Sequence, residues 1–132
     1  MYKRFNPLPA PGDFVWCRFP EVMGKPGPKL RPALVIGVFD EDHKIRVCYG
    51  TSQKTDIHQI YSGEFVLDPQ DDGFAISGLG PRTKFDLNNY FDLPFSTEYF
   101  AAHKGILISS PSPKMGALHS SYMQEIKKAL GH

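Results

Sequence analysis

The sequence predicts a mainly β (α+β) protein, a small barrel or sandwich completed by one C-terminal helix. Three observations carry this. Short runs of β-branched and aromatic residues recur between residues 14 and 95, Gly- and Pro-rich turns separate them, and a helical period sets in only after residue 112.

Residues 1–11, with Pro7, Pro9 and Pro11, read as an extended lead-in. Residues 14–19 form a first strand, aromatic-rich and bounded by Gly12 and Pro20. The following loop, residues 20–30, holds Gly24, Pro26, Gly27 and Pro28, which exclude regular structure. Residues 33–39 are nearly all apolar, which suits a strand buried on both faces or central to a barrel. A polar turn at 40–43 leads into a third strand at 44–49, making a hairpin. Residues 63–67 and 74–76 are shorter strand candidates, with 83–87 and 91–95 after them.

The last element changes period. Ser112-Pro113 has the form of a cap followed by proline in a first helical turn. Leu118, Tyr122, Ile126 and Ala129/Leu130 then recur at helical spacing, and Lys127 and Lys128 suit the C-terminal end of the dipole. The expectation is one amphipathic helix over 113–130, laid on the sheet. No internal repeat appears, so residues 1–132 are read as a single domain, long enough to bury a core without disulfides or metals.

Cys17 and Cys48 each lie inside an apolar run, and no Cys/His cluster has zinc-ligand spacing. They are read as buried free thiols of a reducing cytosol, with no metal and no cofactor. No apolar signal core begins the chain and no run approaches the ~20 apolar residues of a membrane span, so a cytoplasmic protein with no membrane partner is expected. The net charge of +1 does not argue for nucleic acid. Local charge says more: residues 18–31 hold Arg18, Lys25, Lys29 and Arg31 against Glu21 alone, whereas six acids face Arg82 and Lys84 between residues 64 and 92. A basic loop beside a neutral body fits contact with a polyanion by one face, and equally fits a solvated loop.

Chemistry is signalled by two tracts taken together, Lys29-Leu30-Arg31-Pro32-Ala33-Leu34-Val35-Ile36 and Gly50-Thr51-Ser52-Gln53. If the two strands form a hairpin about residues 40–43, Arg31 and Thr51 are about equally far from the turn, and so end opposite or diagonal, with Cβ atoms ~5–8 Å apart. A guanidinium there can grip a phosphate bidentately, and the hydroxyl can donate to the same group. For RNA, such a pair supports attack by the substrate's own 2′-hydroxyl, with Arg31 stabilising charge on phosphorus.

With the opening Pro11-Gly12-Asp13-Phe14-Val15-Trp16-Cys17-Arg18-Phe19, these tracts resemble the PemK/MazF-type toxins of bacterial toxin–antitoxin pairs. Members open with Gly-Asp and an apolar strand, continue through a Gly-containing loop to Arg-Pro-Ala and a β-branched strand, and end a third strand in a Thr-Ser/Thr-Gln-like turn. The resemblance covers residues 11–53 well and the remainder loosely. It implies an SH3-like barrel, metal-independent cleavage of single-stranded mRNA to a 2′,3′-cyclic phosphate and a 5′-hydroxyl, a homodimer, and inhibition by an acidic antitoxin. It implies catalytic roles for Arg31 and Thr51; Arg18, Lys25, Lys29, Ser52 and Gln53 are the substrate-binding candidates beside them.

Other readings stay open. Arginine is always protonated, so a general base is still needed. His58 is nearest in sequence; His43 belongs at the far end of the hairpin, and His103, His119 and His132 have no companions at recognisable spacing. Arg31 can pair with a surface carboxylate, and Thr51-Ser52 can simply close a turn. Trp16 is a core anchor or, through an exposed edge, a stacking surface. Gly78-Leu79-Gly80-Pro81 lacks the continuation of a phosphate loop and reads as a tight turn. Many family members carry an acid and a Gln before the Arg-Pro step, whereas residues 24–29 here hold none. That departure, with the Phe-, Tyr- and Asn-rich stretch 82–100, favours a second class of function: a binding module of the same fold without catalysis, or a toxin that acts by protein contact, such as a gyrase poison.

Overall fold

The computed structural model describes residues 1–102 and 112–131. Six antiparallel strands form one curled half-barrel: β1 (Asp13–Cys17), β2 (Arg31–Phe39), β3 (Lys44–Thr51), β4 (Glu64–Leu67), β5 (Thr83–Pro94) and β6 (Lys114–Ala117). Their order across the sheet is β4-β5-β3-β2-β1-β6. The expectation of a mainly β fold with a C-terminal helix holds. Among the described residues no helix is long and apolar enough to cross a membrane.

Alternation of side chains along the strands feeds two cores, one on each face of the sheet. Val15, Cys17, Ala33, Val35, Ile45 and Val47 enter the first, where Leu93, Phe95, Tyr99 and Phe100 close over them. Phe14, Leu34 and Cys48 enter the second, with Phe65, Leu67, Phe74, Phe85 and Tyr122. β2 is central and buried on both faces, which explains its unbroken apolar run. It pairs with β3 about the 40–43 turn, where His43 takes the left-handed conformation (φ 53°).

The strand candidates at 83–87 and 91–95 are one element. β5 runs through both, and its first residues pair with β4 on one side and β3 on the other. Residues 74–76 are not a strand: a 3-10 turn spans Ala75–Ser77, and Phe74 reaches the second core from its start.

The C-terminal expectation needs a larger correction. Residues 114–117 are not helical but supply β6, which pairs with β1. Trp16 N–H donates to the Pro113 carbonyl (2.9 Å) and Leu118 N–H to that of Gly12 (2.7 Å). An open β1 edge, with its row of unpaired backbone groups, outweighs the local helical period. The helix is accordingly short: a 3-10 turn at Ser120–Tyr122 continues into α1 (Met123–Ala129). The apolar stripe still falls largely on the core: Leu118, Tyr122, Ile126 and Ala129 pack on its second part, whereas Leu130 is exposed.

Candidate functional site

Strand pairing aligns one residue from each of five strands in a row across the sheet. Cys17 pairs with Arg31, Thr51 with Lys84, and Lys84 with Val66. The β2–β3 register, Leu34 to Cys48 and Ala33 to Tyr49, continued to the strand ends sets Arg31 across from Thr51. The row therefore reads Cys17, Arg31, Thr51, Lys84, Val66, with a hydroxyl between two cations. Such cross-strand neighbours lie ~4.5–5.5 Å apart at Cβ.

The two cations differ. Lys84 is buried, and its ammonium donates to Glu64 Oε1 (3.0 Å) and to the Gln59 carbonyl (2.8 Å), with the Tyr61 ring 5.3 Å from Nζ. Its charge is matched within the protein. Arg31 is half-buried and forms no ion pair among the described residues. The alternative in which Arg31 serves a surface carboxylate thus finds no partner there, and its charge is available to a ligand. At the end of the row, burial pushes the Cys17 thiol far above its ordinary range, so it stays protonated and is no nucleophile.

Three cavities meet on this row. One, of about 210 Å³, is walled by Arg31, Thr51 and Ser52, with Trp16, Leu79, Gly80 and Pro81 opposite. The second, about 300 Å³, brings Thr51 and Gln53 together with Lys84, Glu64, Asp86, Tyr49 and Asn89. The third, about 320 Å³, holds Arg31, Glu21, Tyr49, Asn89, Phe19 and Phe91. The second and third share Tyr49 and Asn89 and form one groove on the first-core face; the first lies on the other face, among Trp16, Pro32, Gly50 and Thr83, which alternate with the row residues along their strands, and meets the groove only at Arg31 and Thr51. Gly50 lets the first cavity close up: a Cβ there would lie 2.4 Å from the Phe85 ring and 2.8 Å from the Pro32 carbonyl oxygen.

No protein-family model matches the chain, and no curated protein matches it significantly. The geometry therefore stands on its own.

Of the residues singled out in the sequence, Arg31, Thr51 and Gln53 line the groove, and Ser52 lines the first cavity. Arg18, Lys25 and Lys29 do not line these three cavities. Arg18 N–H donates to the Tyr99 carbonyl and its carbonyl accepts from Gly27 N–H, while Lys25 N–H closes a tight turn on Val22. Thr51 also takes the turn-closing role foreseen for it: its Oγ1 accepts from Gln53 N–H (3.1 Å), which leaves the hydroxyl proton free to donate elsewhere. His58 is exposed in the 3-10 turn Ile57–Gln59. His43 sits at the far end of the hairpin with Nε2 2.8 Å from the Phe5 carbonyl, and His119 Nδ1 accepts from Ser121 N–H. His103 and His132 lie outside the described residues.

Sequence reasoning missed Glu21, Tyr49, Lys84 and Asn89. Glu21 supplies a carboxylate to the Arg31 cavity from the front of the 20–30 loop, upstream of the stretch where an acid was sought. Lys84 was legible in principle, because Lys84 and Asp86 alternate with buried Thr83, Phe85 and Leu87. Asn89 carried no such signal. Between the pairs Cys48–Tyr90 and Tyr49–Asp86 the β5 side has three extra residues, Leu87, Asn88 and Asn89. In this wide bulge Leu87 N–H turns to the Gly63 carbonyl (2.9 Å) and Asn88 N–H to Asp86 Oδ1 (2.9 Å), which leaves Asn89 on the groove wall.

Proposed function

We propose that this chain is the toxin component of a toxin–antitoxin pair, an endoribonuclease that cuts single-stranded mRNA through the substrate's 2′-hydroxyl. The observation that carries the reading is the pairing of an uncompensated Arg31 with Thr51 on one cavity wall, on the central strands of the sheet. In this mechanism the guanidinium binds the scissile phosphate in bidentate fashion and stabilises the charge of the five-coordinate transition state. Thr51 donates its free hydroxyl proton to the same phosphate. The 2′-oxygen gives its proton to the Glu21 carboxylate and attacks phosphorus as the bond to the 5′-oxygen breaks. The leaving 5′-oxygen takes its proton from water, and the products are a 2′,3′-cyclic phosphate and a 5′-hydroxyl. Rigid paired strands hold the two phosphate-binding groups, which favours the fixed geometry such a step requires. A homodimer and an acidic antitoxin segment that covers Arg31 complete the proposal, the segment drawn by the basic residues of the 20–30 loop.

A second reading, a binding module of the same fold without chemistry, is favoured by one observation: the Thr51 oxygen already closes the 51–53 turn. Incubation of the purified protein with a 5′-labelled single-stranded RNA, with and without chelator, separates the two. Cleavage to cyclic-phosphate ends, lost by about 10²–10³-fold in Arg31→Ala, is the expected result. Binding without cleavage supports the second reading, and full activity in Arg31→Ala overturns the assignment of Arg31.

A further inference from the structure

Arg31 and Thr51 are held in different ways. Arg31 is paired with Cys17 in the ladder, whereas Thr51 is the last residue of β3 and the chain turns at once beyond it. Gln53 N–H rests on Thr51 Oγ1 (3.1 Å), and Lys54 takes the left-handed conformation (φ 54°). Of residues 52–59, all but Thr55 and Gln59 are exposed, and those two are held through their carbonyls by cations at the start of β5. Arg82 Nε donates to Thr55 (3.1 Å) and Lys84 Nζ to Gln59 (2.8 Å). Arg82 does this from a fixed position. The β4–β5 register, continued one residue beyond Leu67–Thr83, sets Asp68 across from Arg82, and Arg82 Nη1 donates to Asp68 Oδ2. Asp68 is tied down in turn: Oδ1 accepts from Gln70 N–H (2.9 Å), and its N–H donates to Asp71 Oδ2 (2.9 Å), which also accepts the hydroxyl of core residue Tyr122 (2.8 Å). Two N–H groups of one planar guanidinium thus join the 68–71 turn to the chain that follows Thr51.

We infer that Arg82 is a positioning residue for Thr51: its hold on the Thr55 carbonyl fixes the course of residues 52–55, keeps Gln53 N–H on Thr51 Oγ1, and so sets the direction of the hydroxyl proton. Its effect on the reaction rests on the ribonuclease reading; the order of the loop tests it apart from that reading. Arg31 belongs to the ladder and not to the loop, so loss of Arg82 spares phosphate binding and slows the step that Thr51 assists. The Arg82 and Asp68 side chains are 38% and 28% exposed, and an ion pair so placed contributes little to stability, so substitution at Arg82 leaves the fold in place.

The test compares RNA cleavage by wild type, Arg82→Ala, Arg82→Lys, Thr51→Val and the double variant Arg82→Ala/Thr51→Val. Lysine keeps a charge beside Asp68 but lacks the rigid fork that serves Asp68 and Thr55 together. Both Arg82 variants should therefore lower kcat by about five- to tenfold, within the ~10²-fold that a 1 Å misplacement can cost. KM should stay within about twofold of wild type. In the Thr51→Val background Arg82→Ala should cost nothing further, because no hydroxyl is left to direct. Losses that multiply in the double variant, or wild-type kcat in Arg82→Lys, overturn the inference and leave the ribonuclease reading intact. If wild type does not cut, the ribonuclease reading fails, and backbone order parameters of residues 53–55 from nitrogen relaxation decide whether Arg82 holds the loop. A fall in both Arg82 variants supports the inference; wild-type values overturn it.

Discussion

Replacing Glu64 by Gln tests whether the buried ion pair behind Thr51 holds β4 to β5. The Lys84 and Glu64 side chains are only 7% and 12% exposed, so neither charge can be returned to water without opening the strand pair. Breaking a buried pair by removing one partner costs about 3–5 kcal/mol, because the other charge is stranded. Here Lys84 retains the Gln59 carbonyl and the Tyr61 ring, and a Gln oxygen can still accept from Tyr61 N–H as Glu64 does at 2.7 Å. These contacts set the expectation at the lower end, about 3 kcal/mol. With a urea dependence of about 2 kcal/mol per molar, the unfolding midpoint should fall by about 1.5 M. Trp16, the single tryptophan, supplies the fluorescence signal. The double variant Lys84→Met/Glu64→Leu should recover most of the loss, since no charge is then left buried without its partner. A Glu64→Gln shift below about 0.3 M would refute the reasoning, as it would give the pair the worth of a solvent-screened surface contact.

Three further outcomes are expected. Gly50→Ala should abolish RNA cleavage and lower stability by about 1–3 kcal/mol, because its Cβ must displace Phe85 or the Pro32 backbone beside the site; unchanged thermal unfolding would contradict the close approach. Thr51→Val should lower kcat by at least about tenfold with little change in oligonucleotide affinity, and an equal loss in both would assign Thr51 to binding alone. Burial pushes the Cys48 thiol up to about 12, so the folded chain keeps a proton that the unfolded chain loses above its ordinary 9.0. That contribution is complete below pH 9 and is lost as pH rises through the window from 9 to about 12. Urea midpoints between pH 8 and pH 11 should fall more steeply for wild type than for Cys48→Ala, and parallel slopes would count against it.

The elements legible in the sequence are those whose local chemistry and tertiary setting agree. β2 announced its central place by an apolar run, and the 40–43 turn with the equal arms on either side placed Arg31 and Thr51 on neighbouring strand ends. Residues 114–117 were misread because helical spacing is a local signal, while the demand that β1 places on its free edge is not visible within ten residues of sequence. The site divides the same way. Arg31 and Thr51 follow from hairpin symmetry, but Glu21 and Asn89 reach the groove through a loop and a bulge, where neither period nor propensity constrains direction. Lys25 and Lys29 were substrate-binding candidates on local charge and their place beside Arg31, and neither fixes the direction of a loop side chain.

The interruption in β5 has a consequence for how the protein can change. The ladder is closed on both sides of it, at Cys48–Tyr90 and at Tyr49–Asp86, so a change at exposed Asn89 is taken up locally, whereas Leu87 is held in the second core. Tyr49, which packs on Phe19, and the Arg31–Thr51 pair belong to β2 and β3, strands that such a change does not reach. Variation at the interruption and variation in the Arg31–Thr51 row are therefore separable: the one can drift in sequence while the other keeps its register.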